Sequence, residues 1–154
     1  MRLYLVQHAE AKREEEDRAR PLTDRGREEA IKMARYAARI GLHIEKIIHS
    51  GRLRALQTAE IMAEHLRPSK GVEQAENLDP LSDPKIFAER LKEISEDTML
   101  VGHMPHLGKL VGLLLTGDVS IEPVRFRTSG IVCLERDVNG RWGLVWAIRP
   151  EEVP

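Results

Sequence analysis

The sequence predicts a three-layer α/β sandwich, with a mainly parallel central sheet, antiparallel edge strands, and helices on both faces. Three observations carry this expectation. Apolar runs of strand length alternate with stretches of helical periodicity along most of the chain. Residues 3–6 are apolar without a break, the pattern of a strand buried on both faces of a parallel sheet. The tail holds Asn139-Gly140 between two strand-like runs, a strong hairpin signal.

Each element has its own warrant. The first strand gives way abruptly to polar chemistry at Gln7 and His8. Residues 9–20, with Glu14, Glu15, Glu16 and Asp17, read as a solvated surface loop. Thr23 is placed to cap a helix that runs to about Ile40. Its apolar positions Ala30, Ile31, Ala34, Ala37 and Ala38 keep helical spacing, and Gly41 stops it. A short strand over 44–50 leads through Gly51 into a helix with Arg52 and Arg54 in its first turn. Ser50 is the expected cap of that helix, and its apolar stripe runs from Ala55 to Leu66 ahead of Pro68. A weak strand over 72–75 precedes the loop 77–84 and a short helix from Pro84 to about Ile94. An apolar strand from Thr98 ends at Gly102-His103, and a leucine-rich helix runs from Pro105 to about Leu115. The hairpin pairs 130–137 with 141–148. No repeat, low-complexity tract or linker interrupts this order, so residues 1–154 are expected to form one domain.

Chemistry concentrates at three strand ends. In open α/β sheets ligands bind outside the carboxyl ends of strands, which is where His8, Arg54 and His103 fall. Arginines at a helix amino terminus oppose its dipole. A bound anion would offset that cost by sharing guanidinium and backbone N–H groups. Two imidazoles and a guanidinium converging on one sheet edge point to phosphate.

The residues that carry this constellation sit in recognisable blocks. They are Leu5-Val6-Gln7-His8-Ala9, Arg20-Pro21-Leu22-Thr23-x-x-Gly26, the set Ser50, Arg54, Ala55, Gln57, Thr58 and Ala59, and Gly102-His103-Met104-Pro105. Together they resemble the histidine phosphatase superfamily, of phosphoglycerate mutase-like fold, and within it the small SixA-type phosphohistidine phosphatases. The resemblance covers essentially the whole chain. It implies a metal-independent phosphatase without cofactor, acting on phosphohistidine of a protein such as a phosphorelay domain. It also implies a covalent phosphohistidine on His8, with Arg54, His103 and Gln7 binding the phosphoryl oxygens.

Two positions depart from the family pattern: Gln7 stands where the family has arginine, and Ala9 where it has glycine. Glutamine offers a neutral hydrogen bond, worth about 0.5–1.5 kcal/mol, where arginine offers a charge-assisted one of about 1.5–3 kcal/mol. Gln7 therefore keeps two other readings open: a relative that binds phosphorylated ligands without turnover, and a phosphatase of small phosphate monoesters. Larger relatives use a carboxylic acid to protonate the leaving alcohol, and no residue here matches that position. Asp79 and Asp83 fall in the right stretch, but beside prolines they read as turn formers.

Arg20, Ser50 and His106 are further candidates for the pocket. His43 and His65, near helix ends, read as surface residues, and His49 as a strand-end residue beside Ser50. The histidines lack a spaced carboxylate set of metal-site type. Basic and acidic residues number 24 and 25, which gives no electrostatic case for nucleic acid or an anionic membrane. The lone Cys133 reads as a small core residue of a reducing cytoplasm. The opening apolar run is too short for a signal peptide or a membrane span.

Overall fold

The computed structural model describes all residues, Met1–Pro154. The elements in chain order are β1 (Arg2–Gln7), α1 (Asp24–Arg39), β2 (Lys46–His49), α2 (Leu53–Leu66), β3 (Val72–Gln74), α3 (Pro84–Leu91), β4 (Thr98–Gly102), α4 (His106–Thr116), β5 (Ile131–Arg136) and β6 (Trp142–Ile148). A 3-10 turn at Pro150–Glu152 closes the chain. The strands form one six-stranded sheet in the order β3-β2-β4-β1-β5-β6. β3, β2, β4 and β1 pair in parallel, and the β5–β6 hairpin joins antiparallel to β1.

Strand alternation builds the layers, because successive side chains leave opposite faces of the sheet. Tyr4, Val6, Ile47, Met99 and Val101 pack on one face with Ala30, Met33 and Ala34 of α1 and Ala55, Ala59 and Met62 of α2. Leu3, Leu5, Ile48, Leu100 and Val132 pack on the other with Phe87 and Leu91 of α3 and Leu107, Leu110 and Val111 of α4. Burying each such aliphatic side chain stabilises by about 1.5–3 kcal/mol. Every residue of β4 is buried, as are Leu3 to Val6 of β1. The two central strands are therefore the most firmly held part of the scaffold.

That arrangement also fixes where a ligand fits. β1 feeds α1 on one face, while its parallel neighbour β4 feeds α4 on the other. The connections part at the carboxyl ends of β1 and β4, which makes this pair the topological switch point of the sheet. His8 follows β1 and His103 follows β4.

Some boundaries differ from expectation. The third helix ends at Leu91 rather than near Ile94, because Glu93 and Ile94 donate to carbonyls three residues back, at Arg90 and Leu91. Such bonds close a turn rather than continue an α-helix. Ala38 keeps helical spacing but is exposed, so the core stripe of α1 stops at Ala37. The hairpin turn is held by Asp137, whose carboxylate accepts from the amides of Asn139 and Arg141, with Gly140 left-handed at φ 80°.

Candidate active site

β1 and β4 lie in register with Gln7 opposite Gly102, and the His8 amide donates to the Gly102 carbonyl at 3.0 Å. The two strand-end imidazoles are thereby brought together, with ring centroids 5.1 Å apart and planes inclined by 50°. His8 Nδ1 lies 2.7 Å from the carbonyl oxygen of Ala9. A carbonyl can only accept, so Nδ1 carries the proton and Nε2 keeps its lone pair. His103 is almost fully buried, and its Nε2 lies 2.6 Å from the Ser50 hydroxyl.

Ser50 differs from expectation in one respect. The N-cap position of α2 is Arg52, with no side-chain capping bond. The Ser50 hydroxyl is engaged with His103 instead and accepts weakly from the Arg52 amide at 3.3 Å. The turn between β2 and α2 needs Gly51, whose φ is +89°. A Cβ there would also stand 2.5 Å from the Gln74 side-chain nitrogen. Beyond this turn Arg54 is 8% exposed, and its Nε has no partner within the protein, like His103 Nδ1. Buried polar groups are ordinarily paired, so two such atoms on residues whose charges reach one another are suited to an anionic ligand.

The remaining motif residues hold the site in place. The fully buried Thr58 accepts from the Ala9 amide at 2.9 Å and donates to the Arg54 carbonyl at 2.8 Å. One hydroxyl thus joins the end of β1 to the first turn of α2. Gln57 accepts from the Leu22 amide at 2.8 Å, tying down the segment that follows Arg20. Thr23 caps α1 through Gly26 and contacts the Glu10 side chain. Gly26 is required because a Cβ would lie 2.1 Å from the Glu10 carbonyl oxygen. The sequence displayed Gln57 and Thr58 as motif letters. Their roles depend on partners 35 and 49 residues away.

Arg20 is left-handed at φ 52°, its Nε donates to the Lys12 carbonyl, and its charge lowers the pKa of both His8 and Arg54. Non-glycine residues held in this region carry strain and gather at functional sites. Gln7 ends β1 half-buried, and its side-chain amide makes no hydrogen bond within the protein. His106 opens α4 and is 1% exposed, with neither ring nitrogen partnered, so it caps nothing. His49 is buried and turned to the backbone, accepting from the Gly51 amide. His43 is exposed, and His65 is half-buried against the Ile61 carbonyl. Cys133 is a buried, free thiol whose burial pushes its pKa up to about 11. Asp83 caps α3 as a turn former. Asp79 accepts at its carbonyl from Ser82, as a turn former would, but its carboxylate also pairs with Arg52 at 2.8 Å.

The field of the site is positive and its imidazoles are neutral. Burial, joined by the charges of Arg54 and Arg20, lowers the His8 pKa to about 4 against the pull of the Ala9 carbonyl. Burial, with His8, Arg54 and Arg52 nearby, lowers His103 to about 3, and Asp79 opposes this. Arg54 is lowered by burial and by Arg20 and Arg52. Near pH 7 both rings are uncharged in the free site, and an anion would raise both. The acidic, histidine and cysteine side chains form no group of three or more suited to a metal ion.

Comparison with known proteins agrees with this geometry. Residues 3–83 match the histidine phosphatase superfamily (branch 1). The chain is 28% identical over 155 residues to phosphohistidine phosphatase SixA of Escherichia coli K12, covering 97% of this chain and 94% of that protein. It is 34% identical over 142 residues to an uncharacterized protein of Picosynechococcus, covering 87% of this chain and 84% of that one. The structure of the protein histidine phosphatase SixA complexed with tungstate superposes over 100% of both chains, with TM-score 0.88 and 27% identity.

Proposed function

The chain belongs to the histidine phosphatase superfamily, and from that membership we propose that it is a phosphatase that releases phosphate from phosphohistidine of a protein. His8 Nε2 is the nucleophile. Its lone pair forms the new N–P bond while the bond from phosphorus to the substrate's ring nitrogen breaks, and the electron pair leaves with that ring. The positive charge passes to the phosphorylated His8 ring, whose Nδ1–H remains on the Ala9 carbonyl. Water then attacks phosphorus, the electron pair returns to Nε2, and phosphate departs as the monohydrogen or dihydrogen anion. Arg54 Nε, His103 and the Gln7 amide bind the equatorial oxygens, where charge spreads in the transition state. Ser50 orients His103, and Arg20 adds to the positive field at the rim.

The observation that carries this reading is the 2.7 Å contact from His8 Nδ1 to a carbonyl, which leaves Nε2 unprotonated on a ring whose centroid lies 5.1 Å from that of His103. The tungstate in the related SixA structure is a tetrahedral oxyanion of phosphate's shape. A phosphoramidate suits this site because its protonated imidazole departs without a carboxylic acid. The partner is accordingly a phosphohistidine-bearing protein, and all of 1–154 is taken as one catalytic domain. No helix is long and apolar enough to cross a membrane. The free thiol of Cys133 suits a reducing compartment, the cytoplasm.

The test is incubation with a protein labelled on phosphohistidine. Wild type is expected to release phosphate and to show a trapped, acid-labile label on His8, and His8→Ala is expected to lose both. Full activity in His8→Ala would overturn the assignment. The neutral amide of Gln7 favours one other reading, phosphate binding without turnover. That reading requires saturable phosphate binding, no labelled adduct, and no rescue by Gln7→Arg.

A further inference from the structure

The loop between β3 and α3 brings a carboxylate to the rim of this otherwise cationic pocket. Asp79 Oδ1 pairs with Arg52 Nε at 2.8 Å, and more than half of the Asp79 side chain is exposed. The Arg52 amide reaches the Ser50 hydroxyl, which in turn contacts His103 Nε2. Asp79 is thus linked to the reacting centre through Arg52 and Ser50. Its Oδ2 makes no hydrogen bond within the protein, and the exposed side chain leaves that oxygen free to accept one. Asn77, two residues earlier, is left-handed at φ 62°, so the loop holds a backbone form that non-glycine residues seldom adopt.

We propose that Asp79 determines specificity, its free carboxylate oxygen receiving the N–H of the protonated imidazole that leaves from a phosphohistidine substrate. This rests on the function proposed above and extends it to the leaving group. A phosphohistidine ring must carry a proton on its second nitrogen before the P–N bond breaks. That proton makes the ring a cation with an N–H donor, and a carboxylate is the matching acceptor. On P–N cleavage the electron pair goes to the departing nitrogen, the ring leaves as neutral imidazole with its proton retained, and the charge appears on His8. The leaving oxygen of a phosphate ester gains negative charge instead, and a carboxylate beside it is unfavourable. Asp79 therefore favours phosphoramidates and disfavours esters at the same phosphate pocket. Arg52, Arg54, His103 and His106 are the other charged or titratable groups that its charge reaches.

Asp79→Asn keeps the shape of the side chain and removes its charge. The measurement is kcat/KM for a phosphohistidine protein and for p-nitrophenyl phosphate, on wild type, Asp79→Asn, Asp79→Glu and Arg52→Gln. Asp79→Asn is expected to lower phosphohistidine turnover about tenfold while ester turnover holds or rises. Asp79→Glu is expected to restore the preference, and Arg52→Gln, which breaks the ion pair but keeps the carboxylate, to retain it. Equal losses on both substrates in Asp79→Asn, or no loss on phosphohistidine, would overturn the assignment of Asp79 and leave His8 chemistry standing. Wild type that hydrolyses only the ester would overturn both.

Discussion

Thr58→Val isolates the hydroxyl that joins the two halves of the site. Valine has nearly the shape of threonine, so little besides two hydrogen bonds is removed. The Arg54 carbonyl lies four residues back in α2 and keeps its ordinary helical partner. The Ala9 amide has no such substitute: Ala9 is 0% exposed, and the Thr58 oxygen is its hydrogen-bond acceptor. Leaving a buried N–H unsatisfied costs about 1–3 kcal/mol, partly offset by the added methyl group, for a net loss of about 1–2 kcal/mol. In a domain of this size that lowers Tm by roughly 2–8 °C. The functional effect is larger in kind, because the carbonyl of Ala9 holds the His8 proton. A misplacement of one ångström can cost on the order of a hundredfold. Turnover is expected to fall roughly ten- to hundredfold, mainly in kcat. Thermal unfolding and steady-state kinetics on Thr58→Val, with Thr58→Ser as the control that keeps the hydroxyl, decide the matter. A valine variant with wild-type Tm and kcat would refute the reasoning.

Two further outcomes are expected. Gln7→Arg replaces a neutral hydrogen bond by a charged one and is expected to raise kcat/KM roughly tenfold, the effect of about 1.4 kcal/mol. It is also expected to lower Tm of the free protein through repulsion by Arg20, Arg52 and Arg54; unchanged kinetics would show that position 7 does not meet the phosphoryl group. The second concerns protons. His8 near 4 and His103 near 3 lie below the unfolded value of about 6.5, so the unfolded chain binds more protons. Their contribution to stability is complete above pH 6.5 and is lost as pH falls through that value toward 4 and 3. Sulfate, a tetrahedral dianion that does not itself titrate near pH 6, raises both values, so its binding near that pH is accompanied by proton uptake, measurable by calorimetry in two buffers of different ionisation enthalpy. Proton release would contradict neutral imidazoles in the free site.

Much of the architecture could be read before folding. The apolar run ahead of Gln7, the Thr23 cap, the Asn-Gly hairpin signal and the three strand-end motifs depend on patterns within a few residues, and they recur in β1, α1, the β5–β6 hairpin and the site. The errors were local too. Ser50 has a capping side chain, but a buried imidazole 53 residues away engages it. Ala38 keeps the spacing of a core residue, but no neighbouring layer covers it.

Chain neighbours and periodicity were enough to specify which residue types stand at the strand ends, and hence which of them the sheet gathers at one edge. Its working details came from encounters between distant segments. Examples are Thr58 with Ala9, Gln57 with Leu22, and Arg52 with Asp79, which are 49, 35 and 27 positions apart. Burial, which sets the imidazole protonation states, is likewise a property of packed layers. Local preferences act along the backbone, whereas desolvation and side-chain pairing act through space, and folding is what converts one kind of neighbour into the other.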